Sequence, residues 1–196
     1  MSRYRRATSG GSSYFFTVVA YRRQLILCNE AIRNALRAAI ETVRVARPFV
    51  IDAWVLLPDH LHCVWTLPDG DADFSTRWMI IKRAVSLACR EEFRRNDWVT
   101  ASKLKHREST IWQRRFWEHQ IRDEGDFARH VDYIHFNPVK HGHVQQAKDW
   151  AHSTFHRYVR DGVYVHDWAG AMESAVLIDA VRVGTKTCPP YLALPD

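Results

Sequence analysis

The chain has 196 residues, 46% of them hydrophobic and 12% aromatic, which suits one substantial core and on length alone favours a single domain. Its formal net charge is +6, and 22 of its 28 cationic side chains are arginines, which fork onto phosphate and guanine edges where lysine acts as a point charge. That balance points to a polyanion, and to nucleic acid rather than membrane, because no amphipathic basic helix and no apolar run of membrane-spanning length is present. Cys28, Cys63, Cys89 and Cys188 are scattered without a CxxC pair, which excludes a zinc ribbon or a dithiol redox motif. The basic start lacks the apolar stretch of a secretory signal, so a cytoplasmic location is expected.

Residues 1–13 read as a basic, Gly/Ser-containing arm, with Arg5 and Arg6 as candidate phosphate contacts. Residues 14–160 read as one domain and 161–196 as a C-terminal tail. YFFTVVAY, from Tyr14, is rich in aromatic and β-branched residues and predicts a strand. Asn29 caps a helix in which Ile32, Leu36, Ala39, Ile40 and Val43 recur at helical spacing, with Pro48 beyond its end. A strand follows from Phe49 to Leu57, and Pro58-Asp59 turns it into a second strand from His60 to Leu67.

Within that second strand, LLPDHLHCVW places His60 and His62 at i and i+2. Both therefore face the same side of a sheet, with Cα atoms roughly 6.6 Å apart, a spacing that suits two ligands of one metal ion. Such a pair is also common on half-exposed strands, so the question is whether the chain supplies a third ligand and a reacting group.

Ser75 or Thr76 opens a second helix with Trp78, Ile81 and Val85 on its apolar stripe and Lys82 and Arg83 on its polar face. Residues 96–110 read as a polar loop. Ile111 to Ile121, IWQRRFWEHQI, reads as a strand in which Arg114 and Arg115 alternate with aromatic residues, a mixture that suits nucleic acid because arginine holds phosphate while rings stack on bases. Lys82, Arg83, Arg114 and Arg115 join Arg5 and Arg6 as candidate DNA-binding residues, with an ordinary solvated cationic surface as the alternative.

Asp123 or Asp126 caps the next helix, whose stripe of Phe127, Val131 and Ile134 faces the sheet. His130, Tyr133 and Asn137 fall on its shoulder, and Tyr133 and Asn137 stand one turn apart. The amide oxygen of Asn137 can join two imidazoles as a third ligand, with Tyr133 facing a phosphate held there. Pro138 predicts that the helix ends or kinks at Asn137. A short helix is predicted over 150–158. The order of strands and helices gives an α+β fold of the ferredoxin-like kind, an antiparallel sheet with helices packed on one face.

LLPDHLHCVW, RRFWEHQIRDEGDF, DYIHFNPVKHG and VYVHDWAG, in that order and together with the YRR and GGSSYFFTVV segments near the start, resemble the single-tyrosine HUH transposases, and among them the REP-associated tyrosine transposases. The resemblance implies an HUH nuclease fold, His60, His62 and Asn137 as metal ligands, and Tyr133 as the nucleophile. Asparagine stands where related transposases carry glutamine. His135 and His141 are set aside as ligands, the first for turning away from Tyr133 and the second for lying beyond Pro138.

The activity implied is a single-stranded DNA endonuclease and strand transferase, acting at palindromic repeat hairpins through a 5′-phosphotyrosine intermediate. The partner is hairpin-forming single-stranded DNA, and the chain acts as monomer or homodimer. Two imidazoles alone suit zinc or another transition ion, whereas the resemblance implies magnesium or manganese. The competing reading is a non-catalytic hairpin-binding protein with a vestigial site.

Overall fold

The computed structural model describes residues 12–170. Arg5, Arg6 and Cys188 lie outside the described residues, as does the tail from residue 171. Four antiparallel strands form one sheet in the order β2-β3-β1-β4: β1 is Ser13–Val19, β2 Val50–Leu56, β3 His60–Thr66 and β4 Trp117–Gln120. The long helices are α1 (Glu30–Ala46), α2 (Phe74–Ala88) and α5 (Glu124–Lys140). Short helices are α3 (Arg90–Phe93), α4 (Ala101–Lys105) and α6 (Phe155–Arg160).

Alternation along the strands decides what each face carries. Phe16, Val18, Leu61, Cys63 and Trp65 point to one side and pack against Ile32, Leu36 and Ile40 of α1 and Trp78, Ile81 and Val85 of α2. Trp65 stacks on Trp78 at 4.2 Å between ring centroids. Phe15, Val55 and Val64 point to the other side and pack against Phe127, Val131 and Ile134 of α5. Each such side chain, taken fully from water, contributes about 1.5–3 kcal/mol. The antiparallel sheet is as the sequence predicts, but the helices do not all pack on one face: α1 and α2 share one, while α5 covers the other together with Trp150 and Tyr158. Both β1 and β3 are buried on both faces, which is why the sheet is covered twice, although His60, His62 and Thr17 make the α5 side more polar.

The caps at Asn29 and Asp123 form as expected, their side chains accepting from the backbone N–H groups of Ala31 and Asp126. Helix α2 begins one residue earlier than expected, capped by Asp73. The predicted strand from Ile111 to Ile121 forms only at Trp117–Gln120, with an isolated bridge between Trp112 and Ala20. Between them the carbonyls of Gln113 and Arg114 are taken by the Lys82 ammonium at 2.6 and 3.1 Å, and the chain leaves the ladder there.

The 96–110 stretch, expected as a loop, contains a 3-10 turn at Asn96–Trp98 and helix α4. The helix predicted over 150–158 starts instead at Phe155. Residues before it run along the edge of β2, where Thr154 N–H donates to the carbonyl of Trp54 and Leu56 N–H to that of His152. Cys28, Cys63 and Cys89 are free thiols, as expected from their spacing. No helix among the described residues is long and apolar enough to cross a membrane.

Candidate functional site

The pleat of β3 puts His60 and His62 on the α5 side of the sheet, both buried, with Leu61 and Cys63 turned to the opposite core. The two imidazoles stand edge to face, 4.8 Å apart. Each is oriented through Nδ1: His60 by the Asp59 carboxylate at 2.6 Å and His62 by the Thr17 hydroxyl at 2.9 Å. A carboxylate accepts but cannot donate, so Nδ1 of His60 carries the proton and Nε2 keeps the lone pair that a metal needs. Asp59 itself is pushed up by burial, but the hydrogen bond from His60 and the Arg23 guanidinium outweigh this and hold it at about 2. The turn aspartate is therefore ionised wherever the protein is folded near neutrality.

Helix α5 delivers the remaining groups. The Tyr133 ring lies 5.2 Å from that of His62 and is buried. One turn on, Asn137 is fully buried, and neither its amide oxygen nor its amide nitrogen has a hydrogen-bond partner among the described residues. An orphaned buried amide is costly, by about 1–3 kcal/mol, so its presence beside two oriented imidazoles fits a set of donors arranged for a ligand. A hard oxygen and two imidazoles are a donor set that takes a divalent ion. The Lys140 ammonium sits 5.0 Å above the Tyr133 ring and brings positive charge to the same spot.

Pro138 does not end the helix at Asn137. The helix runs to Lys140 and closes on a Schellman motif: His143 N–H donates to the carbonyl of Pro138, Gly142 N–H to that of Val139, and Gly142 takes a φ of 69°. The C-cap residue, His141, thereby comes to lie with its ring 5.3 Å from His60. The argument that set His141 aside fails for this reason. Counting helical turns through the proline would have found it, since it stands at i+4 from Asn137 and i+8 from Tyr133. Partial burial and the neighbouring His60 push its pKa down to about 4, so the ring is neutral near pH 7. His135 does turn away: it bonds Thr154 at 2.8 Å and Tyr164 at 3.2 Å on the far side of α5.

A second cluster lies beside the first. His119 of β4, Asp126 and His130 of α5 bring their ligand atoms within 4.8 Å of one another, a grouping that can hold a metal. The Asp126 carboxylate is already occupied: it receives His119 at 2.9 Å, the backbone N–H of Arg122 at 3.1 Å, His130 at 3.2 Å and Arg129 at 3.5 Å. Burial raises its pKa, and these donors overcome that and hold it far below the carboxylate range. We read this trio as a proton-held clasp between β4 and α5. Phe15 stands in contact with both groups, its ring 4.7 Å from His130, 5.4 Å from His62 and 6.0 Å from Tyr133.

The basic candidates fall elsewhere. Lys82, Arg83, Arg90, Arg94, Lys103 and Arg114 line a groove of about 820 Å³ between α2 and the 94–116 segment, on the sheet face away from α5. Arg83 and Arg115 are exposed, and Arg114 pairs with Glu108 at 3.3 Å. Lys82 has a different role from the one its place on the polar face implies. Its ammonium is held by two backbone carbonyls, and burial lowers its pKa to about 8.

Comparison with known proteins now decides the family. The chain is 50% identical over 171 residues to the REP-associated tyrosine transposase of Escherichia coli K12, covering 87% of this chain and 92% of that protein. The chain belongs to the REP-associated tyrosine transposases. A putative member of this family from Haemophilus influenzae is 43% identical over 170 residues, covering 87% and 94%. A solved structure of a REP-associated tyrosine transposase bound to a REP hairpin superposes with a TM-score of 0.69 at 48% identity, covering 87% of this chain and 93% of the other. No family model matches the chain. Family membership accounts for the mixed fold and its antiparallel sheet.

Proposed function

We propose that this family member is a single-stranded DNA endonuclease and strand transferase that acts at palindromic repeat hairpins through Tyr133, with His60, His62 and Asn137 holding a divalent ion, magnesium or manganese. The observation that carries the reading is the meeting of Tyr133 with His62 at 5.2 Å, one helical turn from the orphaned amide of Asn137. The hairpin carried by the related transposase supports the substrate class.

When bound, the ion polarises the scissile phosphodiester and neutralises charge on its oxygens. The chain's own groups do the rest. Thr17 and Asp59 fix the two imidazoles so that the phosphate is held in one orientation. The Tyr133 hydroxyl oxygen forms a bond to phosphorus as the bond to the 3′-oxygen breaks, and the phenolic proton is balanced by the proton on the new 3′-hydroxyl. The 5′-phosphotyrosine conserves the bond energy, so attack by another 3′-hydroxyl reverses the step and joins strands without ATP. Lys140, close over the ring, adds positive charge where the phosphate must lie. The groove beside α2 offers Arg83, Arg90 and Arg94 to the hairpin backbone.

The test is incubation of a labelled hairpin oligonucleotide with manganese and either the wild-type chain or Tyr133→Phe. A denaturation-resistant protein-DNA adduct is expected with the wild type alone. An undiminished adduct with Tyr133→Phe removes that residue from its role, and salt-sensitive binding with no adduct under any divalent ion makes the chain a hairpin-binding module instead.

A further inference from the structure

The three ligands assigned above come from β3 and the middle of α5, yet the last turn of α5 brings a third imidazole to the same place. We propose that His141 is an additional ligand of the ion held by His60, His62 and Asn137, making the site one of three imidazoles and an amide. The inference rests on the metal reading of that site and extends it.

The geometry is the argument. An imidazole nitrogen lies about 2.0–2.1 Å from a bound zinc, and the ring centre lies about 1.1 Å further on, so two imidazoles in neighbouring coordination positions have ring centres about 4.5–5.5 Å apart, allowing for slightly larger ions. The His60 and His62 rings are 4.8 Å apart with planes at 81°. The His60 and His141 rings are 5.3 Å apart with planes at 78°. Both pairs fall in the range, and His60 is common to the two.

Placement by the fold is equally direct. His141 is the C-cap, where its backbone N–H donates to the carbonyl of Asn137 at 3.0 Å, so the proposed third and fourth ligands are locked to each other by one helical bond. The Schellman closure that follows places His143 against His141 at 6.1 Å and against Trp150 at 5.4 Å, and Trp150 is in turn fixed by its indole N–H to the carbonyl of Leu56 at 2.9 Å, just before the histidine strand. His141 is exposed where His60 and His62 are buried, which puts it at the mouth of the site, where a ligand can join once the ion has entered.

A third imidazole changes the preference of the site. Two imidazoles already incline the set toward manganese and the later transition ions, and a third inclines it further, because magnesium prefers oxygen. This inference therefore predicts which of the two candidate ions the protein selects.

The experiment is manganese titration followed by electron paramagnetic resonance, with pulsed measurement of nitrogen couplings, on the wild type, His141→Ala and His62→Ala, all without DNA. The helix cap at this position is made by the backbone N–H of His141, which His141→Ala keeps, and an unchanged melting temperature in chelator checks that the fold is retained. Three bound imidazoles are expected in the wild type and two in His141→Ala. His141→Ala should also bind manganese at least about tenfold more weakly, the loss common even for partners outside the ligand shell, and show a smaller preference for manganese over magnesium. If His141→Ala matches the wild type in affinity and nitrogen count while His62→Ala loses the ion, His141 is no ligand and the underlying site stands. If the wild type binds no manganese, or His62→Ala binds it unchanged, the metal reading falls and this inference with it.

Discussion

Asn137 is the side chain that a purely structural account explains least well. It is fully buried in the long helix that covers the histidine face of the sheet, and both amide atoms lack partners among the described residues. Leucine has the same branching and heavy-atom count with no polar atoms, and α5 already contributes Val131 and Ile134 to the apolar cluster on this side of the sheet. In chelator, Asn137→Leu is therefore expected to match or exceed the wild type in melting temperature, since it removes an unsatisfied amide that is destabilising by about 1–3 kcal/mol. Manganese should raise the melting temperature of the wild type and leave that of Asn137→Leu nearly unchanged. A clear loss of stability in chelator would show that the amide serves the fold. The spacing of Tyr133 and Asn137 made this residue readable from the sequence, because i and i+4 must share a helical face. What its amide faces was not readable, since that depends on which strand lies opposite.

At the scale of the element, α5 presents two chemically different sides, and the sequence shows one better than the other. Its sheet-facing stripe and the Tyr133 shoulder follow from periodicity, and β3 follows from two-residue alternation. The last turn was hidden by Pro138, a residue that local rules treat as a terminator, and only the closure through Gly142 and His143 restores it. The far side was hidden too, because its partners are distant in sequence. There Tyr164 donates to Asp132 at 2.6 Å and meets His135, which also bonds Thr154, so the segment before Gly170 is tied to the helix directly before Tyr133 and two residues after it. Gly170, at a φ of 82°, sits where any Cβ would come within 2.5 Å of Phe136.

Two titrations in this network oppose each other. Burial, then the charges of Arg157 and His156, lower His135 from 6.5 to about 3. Between those values the unfolded chain binds the extra proton, so this group makes stability fall as pH drops below 6.5. Burial raises Asp132 from 3.8 to about 6, against the hydrogen bond from Tyr164. Between those values the folded chain binds the extra proton, so this group makes stability rise as pH drops from 6 to 3.8. Compared with the wild type, His135→Gln should gain melting temperature as pH falls from 6.5 to 4, and Asp132→Asn should lose it more steeply. Identical slopes for all three proteins would show that the pair does not titrate on unfolding.

Across the whole molecule, the sheet separates two surfaces with different work in the proposed reaction. The proposed metal and tyrosine site lies between β3 and α5, and the cationic groove lies beside α2 on the opposite face. Strand β4 ends the sheet on one side, and the exposed Arg114 and Arg115 precede it, so a single strand leaving the groove can pass around that edge toward Tyr133. Composition announced the cations but not this division, because a list of arginines carries no information about which sheet face each helix covers. The division makes binding and chemistry separable. Arg83→Ala and Arg90→Ala should each weaken hairpin binding and reduce the slope of log affinity against log salt by about 1, the effect of one lost phosphate contact on duplex DNA. At saturating hairpin both should still form the Tyr133 adduct. Tyr133→Phe should do the converse, binding with unchanged affinity and salt slope while forming none. Should Arg83→Ala and Arg90→Ala bind as the wild type does across the salt range, the groove is not the hairpin interface, and the duplex must approach over the α5 face, where Arg122 and Arg129 surround the Asp126 clasp.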